Sequence, residues 1–196
     1  MEAFSDGVFS IAATLLVLDI ALRPPGSPTR EFFHAWPAYV AYLVSFLTIG
    51  AAWIAHHGLT DELDSVDPIF LRLNLLFLLT IAFLPFPTKL MVEGLEKTAD
   101  WQRLGAVVYG LTLLVVRLLL AALTAYARKE SLRKPNAADP DLDDARKKFH
   151  YAIAGYVLAI VIGLLIPEVA IFIYLAVAVF LLVPLRSVLR AISGRG

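Results

Sequence analysis

Ser5, Asp6, Thr14 and Asp19 all fall inside one apolar stretch, FSDGVFSIAATLLVLDIAL, at residues 4–22. Carboxylates and hydroxyls are costly in hydrocarbon. Inside a membrane segment they mark ion or solute pathways, or the hydrogen bonds that lock helices together. The stretch is long enough to cross a bilayer, since about 20 helical residues at ~1.5 Å each span the ~30 Å hydrocarbon core. A helix that served only as an anchor would have no use for polar groups at both ends and a hydroxyl near its middle. We read it as the wall of a conduction path. A second set of groups, Trp53 and His56, closes a later apolar run, and Arg72 and Asn74 open another. His56, His57, Asp61 and Glu62 sit in HHGLTDE, which matches no recognised ligand spacing, so no metal and no cofactor is expected there.

The elements that position these groups are membrane spans. The 196-residue chain is 59% hydrophobic and 17% charged. Soluble domains sit near 45–50% and about 25%, so this is an integral membrane protein. A formal net charge of zero gives no bulk attraction to nucleic acid. Without cysteine there is no disulfide, thiolate metal site or cysteine nucleophile. No nucleophile–base pair or glycine-rich phosphate loop is present, and an enzyme is not expected. The first stretch lacks a basic leader and a small-x-small exit, so it is expected to stay in the mature protein.

Six helices follow from the apolar runs, at about residues 4–22, 36–56, 68–85, 101–127, 149–166 and 168–191, in one transmembrane domain over 1–196. Residues 23–28 are a proline-rich breaker. The third span is expected to stop at Pro85-Phe86-Pro87, where amides are missing. Residues 149–191 are too long for one crossing and fold back at Pro167-Glu168. With six spans, Arg128, Lys129, Arg133, Lys134, Arg146, Lys147, Lys148, Arg186, Arg190 and Arg195 share one side. Only Arg23, Arg30, Lys89, Lys97 and Arg103 face the other. That bias puts both termini in the cytoplasm.

The same topology brings Ser5, Asp6, Trp53, His56, Arg72 and Asn74 to one depth in the inner leaflet. Interhelical hydrogen bonds there would clamp helix 1 against helices 2 and 3. Other readings stand beside this one. Ser5 and Asp6 could only cap their helix, and Trp53 could be an interfacial belt residue. Asp19 lies near the outer mouth, either concentrating cations or pairing with Arg23. Arg117 falls near the middle of helix 4, facing the bundle or snorkelling inward.

At these residues the chain resembles the transmembrane protein 175 family, the lysosomal and prokaryotic potassium channels. The resemblance lies in FSDGVFSIAATLLVLDI, in Trp53-Ile54-Ala55-His56, in Leu73-Asn74-Leu75-Leu76-Phe77, and in Phe83-Leu84-Pro85-Phe86-Pro87-Thr88. It covers the first 90 residues or so, and the six-span layout covers the rest. It implies an all-α membrane protein that conducts potassium without a TVGYG filter, as a homotetramer with helix 1 of each subunit lining the pore. By the same resemblance Ile11, Leu15 and Leu18 form the pore constriction and Thr14 favours potassium. Phe4, Ser5 and Asp6 pack and hydrogen-bond against Trp53, His56 and Asn74. The family's arginine four residues before the Phe would fall ahead of Met1, which leaves two readings: the sequence starts late, or Arg72 or another base partners Asp6. A single six-helix unit of this kind implies the inner membrane of a prokaryotic cell.

On a helical wheel Gly7, Ile11, Thr14, Leu15, Leu18 and Leu22 share one face, with Phe9, Ala13, Leu16 and Ile20 opposite. Both faces are apolar, and a membrane threonine often only bonds its own i−4 carbonyl. Periodicity alone therefore leaves packing and pore-lining both open. The competing function is a proton-coupled secondary transporter of a small solute or cation, with Asp6, His56 and Arg117 as relay. Such proteins usually carry internal repeats and broken helices near the midplane.

Overall fold

The computed structural model describes residues 1–19, 27–129, 132–134 and 142–183. Most of the expected breaker at 23–28, part of the polar loop between spans four and five, and the end of the sixth span with Arg186, Arg190 and Arg195 lie outside the described residues.

The described elements are helical apart from one bridging pair, Leu63 with Arg133. Helix α1 (Glu2–Leu15) tightens into a 3-10 turn (Leu16–Asp19). It is followed by α2 (Pro28–His34), α3 (Trp36–Asp61), α4 (Pro68–Phe83), α5 (Pro85–Leu95), α6 (Ala99–Lys129), α7 (Leu142–Gly163) and α8 (Pro167–Leu182). Trp36–Asp61, Pro68–Leu95 and Ala99–Lys129 are each long and apolar enough to cross a membrane, and α8 is a shorter apolar helix. The composition predicts an integral membrane protein and the apolar runs predict helices; the described fold is all-helical with three helices long and apolar enough to span.

Two local differences have clear causes. Helix α2 occupies a place where the sequence suggests only a connection. The third span does not stop at Pro85, because the chain passes into α5 after a one-residue break at Leu84, which keeps helical dihedrals of −55° and −35°. Proline at 85 cannot serve the Ile81 carbonyl. The Leu84 amide serves it instead at 3.1 Å. The Thr88 hydroxyl then donates to the Leu84 carbonyl at 2.8 Å. With the local carbonyls satisfied, the proline interrupts the helix without ending the span.

Helix α6 is central, packed on α3, α4, α5, α7 and α8. A Cβ at Gly105 would lie 2.8 Å from the Leu90 carbonyl oxygen, so glycine permits the close approach of α5. The core holds hydroxyls that satisfy one another, as buried polar groups must. Ser45 Oγ lies 2.8 Å from Thr88 Oγ1 and 2.7 Å from the Tyr109 hydroxyl. Tyr109 meets Tyr174 edge-on at 5.4 Å, and the Tyr174 hydroxyl donates to the Ala106 carbonyl at 3.0 Å.

One end of the molecule is strapped. The Arg133 guanidinium pairs with Glu62 at 2.8 Å, the Lys134 amide reaches the Glu62 carbonyl at 2.9 Å, and the Asp64 amide reaches the Leu132 carbonyl at 2.9 Å. The α3–α4 connection and the segment after α6 therefore meet at the same end, as a shared side for those loops requires. Nearby, Asp67 caps α4. Its Oδ1 accepts from the Phe70 amide at 2.7 Å and its Oδ2 from the Tyr126 hydroxyl at 2.6 Å. These two hydrogen bonds, the Phe70 amide first, hold its carboxyl below the ordinary carboxylate range.

A depressed folded pKa stabilises the fold above the unfolded value, near 3.9, and that contribution vanishes as pH falls through the folded pKa. An Asp67→Ala protein is therefore expected to melt below wild type at neutral pH. The gap should close as pH drops below about 4, as read by thermal unfolding in detergent at stepped pH. A gap that stayed constant into acid would mean that the carboxylate charge is not what the cap uses.

Candidate ion pathway and its polar anchor

Helix α1 packs on α3 and α4 and carries two faces of opposite exposure. Ser5, Phe9, Ala12 and Leu16 are buried. Ile11 is 61% exposed, Leu15 43% and Leu18 73%. Residues at i, i+4 and i+7 share a helical stripe, so the aliphatic stripe stands clear of the subunit's own core. Gly7 and Thr14 are exposed with it. The Thr14 hydroxyl lies 3.0 Å from the Ser10 carbonyl and 2.9 Å from that of Ile11. Its proton is thus directed to the backbone, and its oxygen lone pairs are left for an outside partner.

The buried face is anchored by polar contacts at the amino-terminal end of α1. Trp53 Nε1 donates to Asp6 Oδ1 at 2.8 Å. His56, 2% exposed, meets Asn74 Oδ1 through Nε2 at 2.7 Å, and Asn74 Nδ2 reaches Ser5 Oγ at 3.4 Å. The His56 ring also stacks on Phe77 at 5.5 Å and meets Phe9 at 5.6 Å. Three helices are thereby joined by side chains that nearly all have a partner.

Ser5, Asp6, Trp53, His56 and Asn74 are brought together as the depth argument expects. Phe4 and Arg72 are not. Phe4 is 61% exposed on the side of Ile11. Arg72 is exposed, and among the described residues no ion pair joins it to Asp6. The Asp6 carboxylate takes the Trp53 indole as donor, a contact the resemblance implies. Asp19 ends the 3-10 turn, and its side chain lies outside the described residues. Among those residues no group of three or more histidine, cysteine and acidic side chains forms a metal cluster.

Two features escaped the sequence reading. The Ser45–Thr88–Tyr109 cluster gave no signal because its members are single hydroxyls in apolar runs. The surroundings of Arg117 were equally hidden. Its guanidinium lies over the Phe149 ring at 5.6 Å, beside Thr48 and Tyr156.

The comparisons with known proteins agree with this architecture. Residues 1–85 match the profile of the family described as endosomal/lysosomal potassium channel TMEM175. A potassium channel of Streptomyces collinus is 38% identical over 165 residues, covering 82% of this chain and 79% of the relative. A potassium channel of Chamaesiphon minutus is 33% identical over 167 residues, covering 81% and 80%. The crystal structure of a lysosomal potassium-selective channel TMEM175 homologue from Chamaesiphon minutus superposes with a TM-score of 0.74 at 28% identity, covering 92% of this chain and 93% of that one. An all-helical membrane protein with such relatives is an ion channel and not an enzyme. The chain belongs to the TMEM175 family.

Proposed function

We propose that the chain is a potassium-selective cation channel working as a homotetramer, with six spans per subunit and four copies of α1 around the central axis. The observation that carries the reading is the outward stripe of Ile11, Leu15 and Leu18 on a helix whose opposite face is clamped. The names of the bacterial relatives support potassium as the permeant ion. Both termini lie in the cytoplasm, and residues 1–196 form one channel domain in the inner membrane of a prokaryotic cell. Asp19 sits at the outer mouth.

In this arrangement one ring of four Ile11 side chains, with Leu15 and Leu18 beyond, makes a constriction that excludes water when narrow and conducts when the helices spread. Apolar walls discriminate weakly between cations. Preference for potassium then rests on the cost of dehydration and on the Thr14 oxygens, whose protons are turned to the backbone. The anchor of Ser5, Asp6, Trp53, His56 and Asn74 holds α1 at the angle the pore needs. A transporter relay through Asp6, His56 and Arg117 has little support, since Asp6 bonds Trp53, His56 bonds Asn74, and Arg117 lies over Phe149.

The test combines native mass spectrometry with bilayer recording under potassium and sodium gradients. A tetramer whose reversal potential follows potassium is expected, with the potassium preference falling several-fold in Thr14→Ala. A monomer, or saturable flux driven by a proton gradient, would remove the proposal.

A further inference from the structure

Between α3, α6, α7 and α8 lies a cavity of about 210 Å³ that no residue of α1 lines. Its polar wall consists of Thr48, Arg117, Lys148 and Tyr156, and the rest is alanine, valine and leucine. Among the described residues no acidic side chain lines it. Arg117 Nε is buried without a hydrogen-bond partner, and so is Thr48 Oγ1, on a residue only 3% exposed. The Tyr156 hydroxyl is a neighbour of Thr48 without bonding geometry, on a residue 1% exposed. The Phe149 ring covers one face of the guanidinium but accepts no N–H bond from Nε.

A buried cation is ordinarily paired, because unpaired charge in a low-dielectric interior is strongly unfavourable. Here Arg117, with its Nε unpartnered, and the hydroxyls of Thr48 and Tyr156 line a space far larger than the ~10–15 Å³ a single water needs, and Lys148 adds positive charge to the same wall. The guanidinium fork matches the oxygens of a phosphate, and hydroxyl donors complete such a shell. Lys148 lies in the second turn of α7, toward the strapped end of the molecule. The apolar remainder of the wall suits an acyl chain or glycerol backbone.

We propose that this cavity is an anion site for a phosphate group, held by Arg117 and Lys148 with Thr48 and Tyr156 as hydroxyl donors. An anionic phospholipid headgroup and free phosphate are two sources of the same chemistry. The site is independent of the pore.

Delipidated protein in neutral detergent should be melted against short-chain phosphatidylglycerol, short-chain phosphatidylcholine and inorganic phosphate. Saturating phosphatidylglycerol is expected to raise the midpoint by about 5–10 °C. The shift should vanish in Arg117→Gln. In Thr48→Val, a substitution of nearly equal volume, the apparent affinity should weaken about tenfold. A shift from inorganic phosphate that Arg117→Gln also abolishes supports the site and assigns it to the free ion. An equal shift from phosphatidylcholine, a shift that survives both substitutions, or no shift from either anion overturns it.

Discussion

An Ile11→Asn protein is expected to carry about tenfold more potassium current per channel than wild type in planar bilayers. Ile11 is 61% exposed on the free face of α1, so its substitution removes no contact that the subunit's own core depends on. In the proposed tetramer four amides would replace four sec-butyl groups at the proposed constriction. Water then enters a segment that was dry, and the barrier to a hydrated ion falls. A tenfold rise corresponds to about 1.4 kcal/mol. Selectivity should fall with the barrier, since a wetted ring no longer charges each ion its full dehydration cost. A correctly assembled variant with wild-type conductance and ion ratio would show that the constriction lies elsewhere.

Asn74→Leu should have the largest effect on the fold. The side chains share a branched shape with the same number of heavy atoms, leucine being the bulkier, so the change removes hydrogen bonds and leaves no cavity. His56 Nε2 loses its 2.7 Å partner in a site where the histidine is 2% exposed, and Ser5 Oγ loses its 3.4 Å contact. Stranding a buried polar group costs about 1–3 kcal/mol. For a chain of this length that lowers the melting midpoint by roughly 2–12 °C. The double variant with His56→Phe should recover a good part of the loss, because replacing both partners by apolar groups is far less unfavourable than replacing one. The ring already stacks on Phe77, which a phenylalanine can keep. Strictly additive losses in the pair would show that the bond contributes little to holding α1.

The legible part of this molecule was the part written as exceptions to an apolar background. Asp6, Trp53, His56 and Asn74 stand out because membrane spans tolerate few such groups, and topology alone puts them at one depth. Their pairing into Trp53–Asp6 and His56–Asn74 was not readable, since depth does not fix which side chain turns to which. Pro85 misled because its missing amide reads as a terminator. Only the structure shows Leu84 and Thr88 supplying the local bonds. Both faces of α1 are aliphatic, so the sequence could not say which one its neighbours bury. The burial of Phe9, Ala12 and Leu16 answers that for the subunit. Arg117 was conspicuous by position, but its neighbours come from two distant stretches, Thr48 from α3 and Phe149 and Tyr156 from α7.

Between Gly7 and Leu18, α1 carries no ionisable side chain. Displacing one elementary charge through a 100 mV potential is worth about 2.3 kcal/mol, and that work is what makes gating respond to voltage. A spreading or rotation of α1 moves no such charge through the field. In the proposed mechanism the segment between Gly7 and Leu18 draws no such work from the field, so opening by that route is expected to respond weakly to the membrane potential.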